Sequence, residues 1–157
     1  MTALGYQVRD ARITDAERIT ALLDAGPSFR EAQDRATLGA ADLLRQLVYL
    51  PHAAVIVAEA YRTIVGAAVL SLRPSVVGGG FIGTIDLFIV EPGPEATEVR
   101  DALVAAMLRS ARNKGCVAVE APQLAEPMDR ATWESYGFAA AAPRMVHQLT
   151  PVGALRT

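Results

Sequence analysis

The sequence predicts an α+β domain, with a mixed, mostly antiparallel central sheet of about six to seven strands flanked by about four helices. Three observations carry this. Apolar residues recur with period two in some stretches and period 3.6 in others, so strands and helices can be told apart. The order read from them is β-α-α-β-β-β-α-β-α-β, in which three successive strands require a meander rather than the strict alternation of a doubly wound dinucleotide fold. Finally, 157 residues with 52% hydrophobic and 20% charged content suit one domain with one core, covering residues 1–157.

Each element follows from its residues. "GYQVRDAR" forms a short first strand, and "ITDAERITALLDAG" opens with Thr14-x-x-Glu17, a capping box ahead of Ile19, Leu22 and Leu23 on one helical face, with Gly26 as a stop. Between residues 30 and 50 helix formers dominate, and Leu43, Leu44, Leu47 and Val48 share a face before Pro51. "HAAVIVAEA" and "TIVGAAVLSL" are β-branched runs joined at Tyr61 and Arg62, which reads as a hairpin. "RPSVVGGG" reads as a mobile loop because of its three consecutive glycines. "FIGTIDLFIV" is the fourth strand, stopped by Pro92. In residues 95–112, Val99, Leu103, Ala106, Met107 and Ser110 form the apolar stripe of a helix that Lys114-Gly115 ends. "CVAVEA" is an apolar fifth strand, expected to be central. A short helix over "EPMDRATWESYGF" stops at Gly137, and "RMVHQLT" is a last strand with Met145, His147 and Leu149 on one side.

Composition narrows the chemistry. With 15 basic and 17 acidic residues the formal charge is −2, and a pI near 5.7 gives a field that repels polyanions, so nucleic acid is not an expected partner. Apolar runs fall far short of the ~20 residues of a membrane span, and no charged start precedes an apolar core, so a cytoplasmic protein without membrane contact is expected. Cys116 is the only cysteine. It rules out an internal disulfide and reads as a small buried hydrophobe, because no histidine stands near it to activate a thiolate. His52 and His147 are isolated, no metal is expected, and His147 reads as a core histidine.

The stretch "VEPGPEATEVRDAL", residues 90–103, is the end of a strand, a tight turn and the start of a helix. Unpaired N–H groups and the helix dipole make such a junction receptive to an anion. Together with the element order, the Val-x-Pro, the long helix ending in Lys-Gly-Cys and the late "WESYGF", it resembles the GNAT superfamily of acyl-CoA-dependent N-acetyltransferases over nearly the whole chain. The resemblance implies that acetyl-CoA is the acyl-donor cosubstrate. It also implies that backbone amides at Glu95, Ala96, Thr97, Glu98, Val99 and Arg100 face its pyrophosphate, and that backbone groups of Leu87, Phe88, Ile89 and Val90 hold the acyl carbonyl and pantetheine arm like an added strand. Laid on the family pattern V-x-P-x-x-R/Q-G-x-G-x-G/A-x-A-L, Val90, Pro92, Ala102 and Leu103 match. Glu95 replaces the basic or amide residue, and Ala96, Glu98 and Arg100 occupy the three small positions.

Glu98 matters most, because a carboxylate ~6 Å from a phosphate charge costs up to about 3 kcal/mol at an effective dielectric of ~20. As first-turn residues, Glu95 and Glu98 also stabilise the helix by ~0.3 to 1 kcal/mol each. Where the family carries a tyrosine that protonates the departing thiolate, Trp133 stands here, and an indole N–H is no acid at neutral pH. Tyr136, about 60° around the helix, is the nearest substitute. Asp86 and Glu120, on the strands that the resemblance places beside the thioester, are the candidate bases. Alternation puts Asp86 on the face opposite Leu87. The expected activity is transfer of an acetyl or acyl group to a small-molecule or peptide amine by direct attack. The alternative is a catalytically inactive binding or dimerisation module that keeps the fold, with the apolar last strand offering a surface for a homodimer.

Overall fold

Apolar periodicity sets the element boundaries. In the computed structural model, residues 5–25, 33–121, 130–139 and 147 are described. They form strands β1 (Tyr6–Asp10), β2 (Ala53–Ala60), β3 (Thr63–Ser75), β4 (Gly80–Val90) and β5 (Cys116–Glu120), and helices α1 (Ala16–Ala25), α2 (Gln33–Leu47), α3 (Ala96–Asn113) and α4 (Arg130–Ser135). The strands make one sheet in the order β1-β2-β3-β4-β5. Every pairing is antiparallel except β4 with β5, which is parallel.

The sheet is covered on both faces, and the strands show it by alternation. Val55, Val57, Ala67 and Val69 pack with Ile19 and Leu22 of α1 and Leu44 of α2. Their neighbours Ile56, Ala58, Ala68 and Leu70 turn the other way, onto Val99, Leu103, Val104 and Met107 of α3. That is the pattern of strands buried on both sides. Helix α3 lies hard against β3 at Gly66, where a Cβ would stand 3.0 Å from Leu103 Cδ1 and 3.1 Å from Val99 Cγ1. A larger residue there would push the helix off the sheet.

The β2–β3 connection is the tight hairpin expected. Ala60 pairs with Thr63, and the two residues between them, Tyr61 and Arg62, have φ of 50° and 66°, as a type I′ turn requires.

Several expectations are corrected. The stretch 73–80 is hairpin rather than loop: Arg73, Pro74 and Ser75 pair with Ile82, Phe81 and Gly80, and the tip closes as Gly78 N–H donates to Ser75 Oγ at 2.9 Å. The described residues hold five strands, and a sixth or seventh would fall outside them. The expected last strand falls on residues 144–150, of which only His147 is described, exposed and outside any strand, so it is no core histidine. Among the described residues strand β5 pairs only with β4 and Val117 is 57% exposed, so the expected central place is not seen among them. The cap of the first helix is also misassigned. Asp15, not Glu17, reaches back, accepting from the Arg12 N–H at 2.8 Å and from Arg9 Nη1 and Nη2 at 2.8 and 3.2 Å. Of the four residues expected to face the core from α2, only Leu44 is fully buried, and Leu43 is 51% exposed.

Candidate functional site

The sheet opens where its one parallel pairing ends. β4 and β5 run together from the Phe81–Cys116 rung to the Thr84–Glu120 rung. Beyond it, residues 85–90 of β4 keep β3 on one side and have no strand on the other among the described residues. The peptide groups of Leu87, Phe88, Ile89 and Val90 therefore lie along an unpaired edge, which is the geometry that receives an extended ligand as an added strand.

A bulge sits at this point. Val69 pairs with Leu87 and Leu70 with Ile85, leaving Asp86 without a partner on β3. The extra residue reverses the alternation, so Ile85 and Phe88 both face α3 while Leu87 and Ile89 face α1 and α2. The expected grouping of Ile85, Leu87 and Ile89 against Asp86, Phe88 and Val90 is therefore broken, because a bulge shifts the side-chain period by one. Asp86 itself is exposed.

Directly after the open edge, α3 begins. Its N-cap is Glu95, which makes no side-chain capping bond. The Ala96 N–H donates to Gly93 O at 3.2 Å and the Val99 N–H to Glu95 O at 3.0 Å, while those of Thr97 and Glu98 have no acceptor among the described residues. Neither glutamate covers these donors. One turn in, Arg100 Nε is buried without a hydrogen-bond partner, which is unusual enough to need a reason, since buried polar atoms are nearly always paired. The two free amides at the helix start are donors of the kind that suits an anion.

Two tyrosines flank this helix start. Tyr6 on β1 donates its hydroxyl to the Glu98 carbonyl at 3.1 Å, and its pKa is raised by burial and then by the charges of Glu98, Asp101 and Glu95. Tyr136 donates its hydroxyl to Asp101 Oδ1. Burial first, then that hydrogen bond and the Asp101 charge, push it up to about 12, against the pull of Arg100. Trp133 meets Phe88 edge-on, ring centroids 5.7 Å apart, and Phe138 likewise at 5.0 Å, so the indole wedges α4 against β4 beside the cleft. Glu120, at the last shared rung, accepts from Arg73 Nη2 at 3.2 Å and from Thr84 Oγ1 at 3.5 Å.

Of the expected residues, 87–90 lie along the edge and 95–100 at the helix start, Asp86 and Glu120 stand on β4 and β5 near where the strands part, and Tyr136 bonds Asp101 of α3. Sequence reasoning missed Tyr6, Arg73, Thr84 and Asp101, whose contacts span from 35 to 92 positions along the chain. No local pattern carries those. Cys116 is half-buried and packs on the core, and burial raises its thiol pKa against the pull of Lys114. Among the described residues, no group of three or more His, Cys, Asp or Glu side chains could hold a metal ion, and no helix is long and apolar enough to cross a membrane.

No protein-family model and no curated protein sequence matches the chain. Solved structures do. A transcriptional regulator from Bacillus halodurans C-125 superposes with a TM-score of 0.75 at 17% identity, over 92% of this chain and 99% of that one. The ribosomal-protein-alanine N-acetyltransferase from Brucella melitensis biovar Abortus 2308 gives 0.69 at 19% identity, over 91% and 99%. AAC(6')-Iy, solved in complex with the bisubstrate analogue CoA-S-monomethyl-acetylneamine, gives 0.69 at 20% identity, over 93% and 99%. The chain has the fold of the GNAT acetyltransferases.

Proposed function

We propose that this protein is an N-acetyltransferase that takes acetyl-CoA at the β4–α3 junction and an amine at the mouth between β4 and β5. One observation carries the proposal: the Thr97 and Glu98 amides and the buried Arg100 Nε lack acceptors at the end of an unpaired strand edge. An anionic tail on the helix and an amide-bearing arm along residues 87–89 would satisfy both sets of groups at once. Arg100 stands in part for the small residues of the family pattern, since its charge offsets that of Glu98.

Acetyl-CoA supplies the acetyl group as a thioester. The chain's residues position it and manage protons. As the amine nitrogen bonds to the acyl carbon and the carbon–sulfur bond breaks, Asp86 or Glu120 takes the ammonium proton through water. Tyr136 is a poor acid for the departing thiolate, because its proton is committed to Asp101 and its pKa is near 12. Water fills that role. Most of the rate then comes from holding two reactants in line.

The opposing reading, an inactive module with the same fold, draws on the carboxylates of Glu95 and Glu98 beside the donors. Isothermal titration with acetyl-CoA separates the two. A dissociation constant on the order of micromolar is expected for the transferase, whereas no heat at millimolar ligand would abandon it.

A further inference from the structure

We infer that the acceptor amine carries a carboxylate, so that the substrate is an amino acid or a close analogue, read by the Arg73–Glu120 pair; this rests on the transferase reading above. On β3, Leu70 and Leu72 face α3, so by alternation Arg73 projects from the opposite face. Thr84, next to Ile85, and Glu120, next to Val119, project from that face too, since Ile85 and Val119 pack with α3. Three polar side chains from three adjacent strands therefore meet at the last rung before the cleft opens.

Their bonding is incomplete in a specific way. Both contacts to Glu120 use the same oxygen, Oε1, and Oε2 has no partner among the described residues. Arg73 uses only Nη2, leaving its Nε and Nη1 donors without partners there. About half of each side chain is in water, 51% for Arg73 and 44% for Glu120. Such a pair adds little to stability, so a ligand can bridge it at little cost.

What the pair offers is a fixed dipole with both ends open. Positive and negative atoms lie 3.2 Å apart, a span close to that between the ammonium and carboxylate of an amino acid. A zwitterion laid antiparallel to this dipole puts its nitrogen on Glu120 Oε2, facing the residues proposed to hold the acyl carbonyl. Its carboxylate meets the second Nη2 hydrogen of Arg73 together with Nε–H or an Nη1 hydrogen, a fork that guanidinium presents for two parallel bonds. An amine without a carboxylate would leave that fork unanswered.

The test uses the full-length protein, acetyl-CoA, and the common amino acids with β-alanine, each compared with its own amide, following coenzyme release. The expected result is a preference for at least one acid over its amide on the order of tenfold in kcat/KM, expressed mainly in KM. Arg73→Gln should erase that preference by raising KM for the acid, and Arg73→Lys should keep part of it, because lysine retains the charge without the fork. Equal use of acid and amide throughout, a preference that survives Arg73→Gln, or bound acetyl-CoA with no acid turned over would overturn the inference. Absence of acetyl-CoA binding in the calorimeter would instead overturn the transferase reading.

Discussion

The two halves of the sheet are finished differently. Around β1, β2 and β3, helices cover both faces, Val57, Ala58, Ala67 and Ala68 have no exposed surface, and the cluster at Arg9 is closed on itself, with two bonds to Asp15 and one to Glu59 at 2.9 Å. Where β4 leaves β5, by contrast, a strand edge is unpaired, two helix amides lack acceptors, and Arg100 Nε is buried alone, all among the described residues. Unmet polar groups destabilise a folded chain. Their concentration in one place is what the proposed binding of an anionic ligand would relieve.

Leu103→Ala should separate the halves most strongly, because Leu103 is fully buried and holds the helix that serves both. It should lose about 3–4 kcal/mol in urea unfolding. A loss below about 1 kcal/mol would show that α3 is not anchored as described. Asp15→Asn should act on the closed half alone, costing about 1–3 kcal/mol at neutral pH with acetyl-CoA affinity unchanged.

Its pH dependence has a definite sign. Burial opposes the charge on Asp15, but the Arg9 and Arg12 hydrogen bonds outweigh it and hold the carboxyl below its usual value of 3.8. The stabilisation is therefore complete above about pH 4 and is lost as pH falls through the lower, folded value. Wild type and variant should converge in acid, and a constant difference across pH would sink this account.

At the open half the effects move to binding. Glu95→Arg combined with Glu98→Gly should tighten acetyl-CoA by about tenfold, and unchanged affinity would mean that the acidic rim is not limiting. Smallest in energy is Asp101→Asn, read by tyrosinate absorbance. It should bring Tyr136 down from about 12 towards its ordinary 10.0, and a titration that stays put would place the cause in burial alone. Since the folded value is the raised one, any stability this tyrosine lends is present below pH 10 and lost as pH climbs through about 12.

Much of the architecture was legible. The α3 stripe of Val99, Leu103 and Met107 is buried as its spacing implies, because helical periodicity survives in any tertiary setting. The Tyr61–Arg62 hairpin followed from short separation and β-branched flanks. What failed did so for reasons no local window holds. A bulge at Asp86 is invisible to alternation, since it depends on the partner strand. "SVVGGG" reads as slack because glycine suits a tight turn as well as a loose one. The strand, turn and helix start of residues 90–103 are legible locally, but the contacts of Tyr6 with Glu98, Tyr136 with Asp101, and Arg73 and Thr84 with Glu120 join distant chain positions.

The last of the four parallel rungs, between Thr84 and Glu120, closes a loop of 36 positions, whereas the β2–β3 turn closes over two residues. Ring-closure entropy makes the short turn early and the long crossover late. The β5 strand is therefore expected to dock after the meander has formed and to detach first in partial unfolding, with the quickest amide exchange in the sheet. Reactants would thus gather at the youngest and least tightly held seam of the molecule, which can part to release product while the meander beneath stays folded.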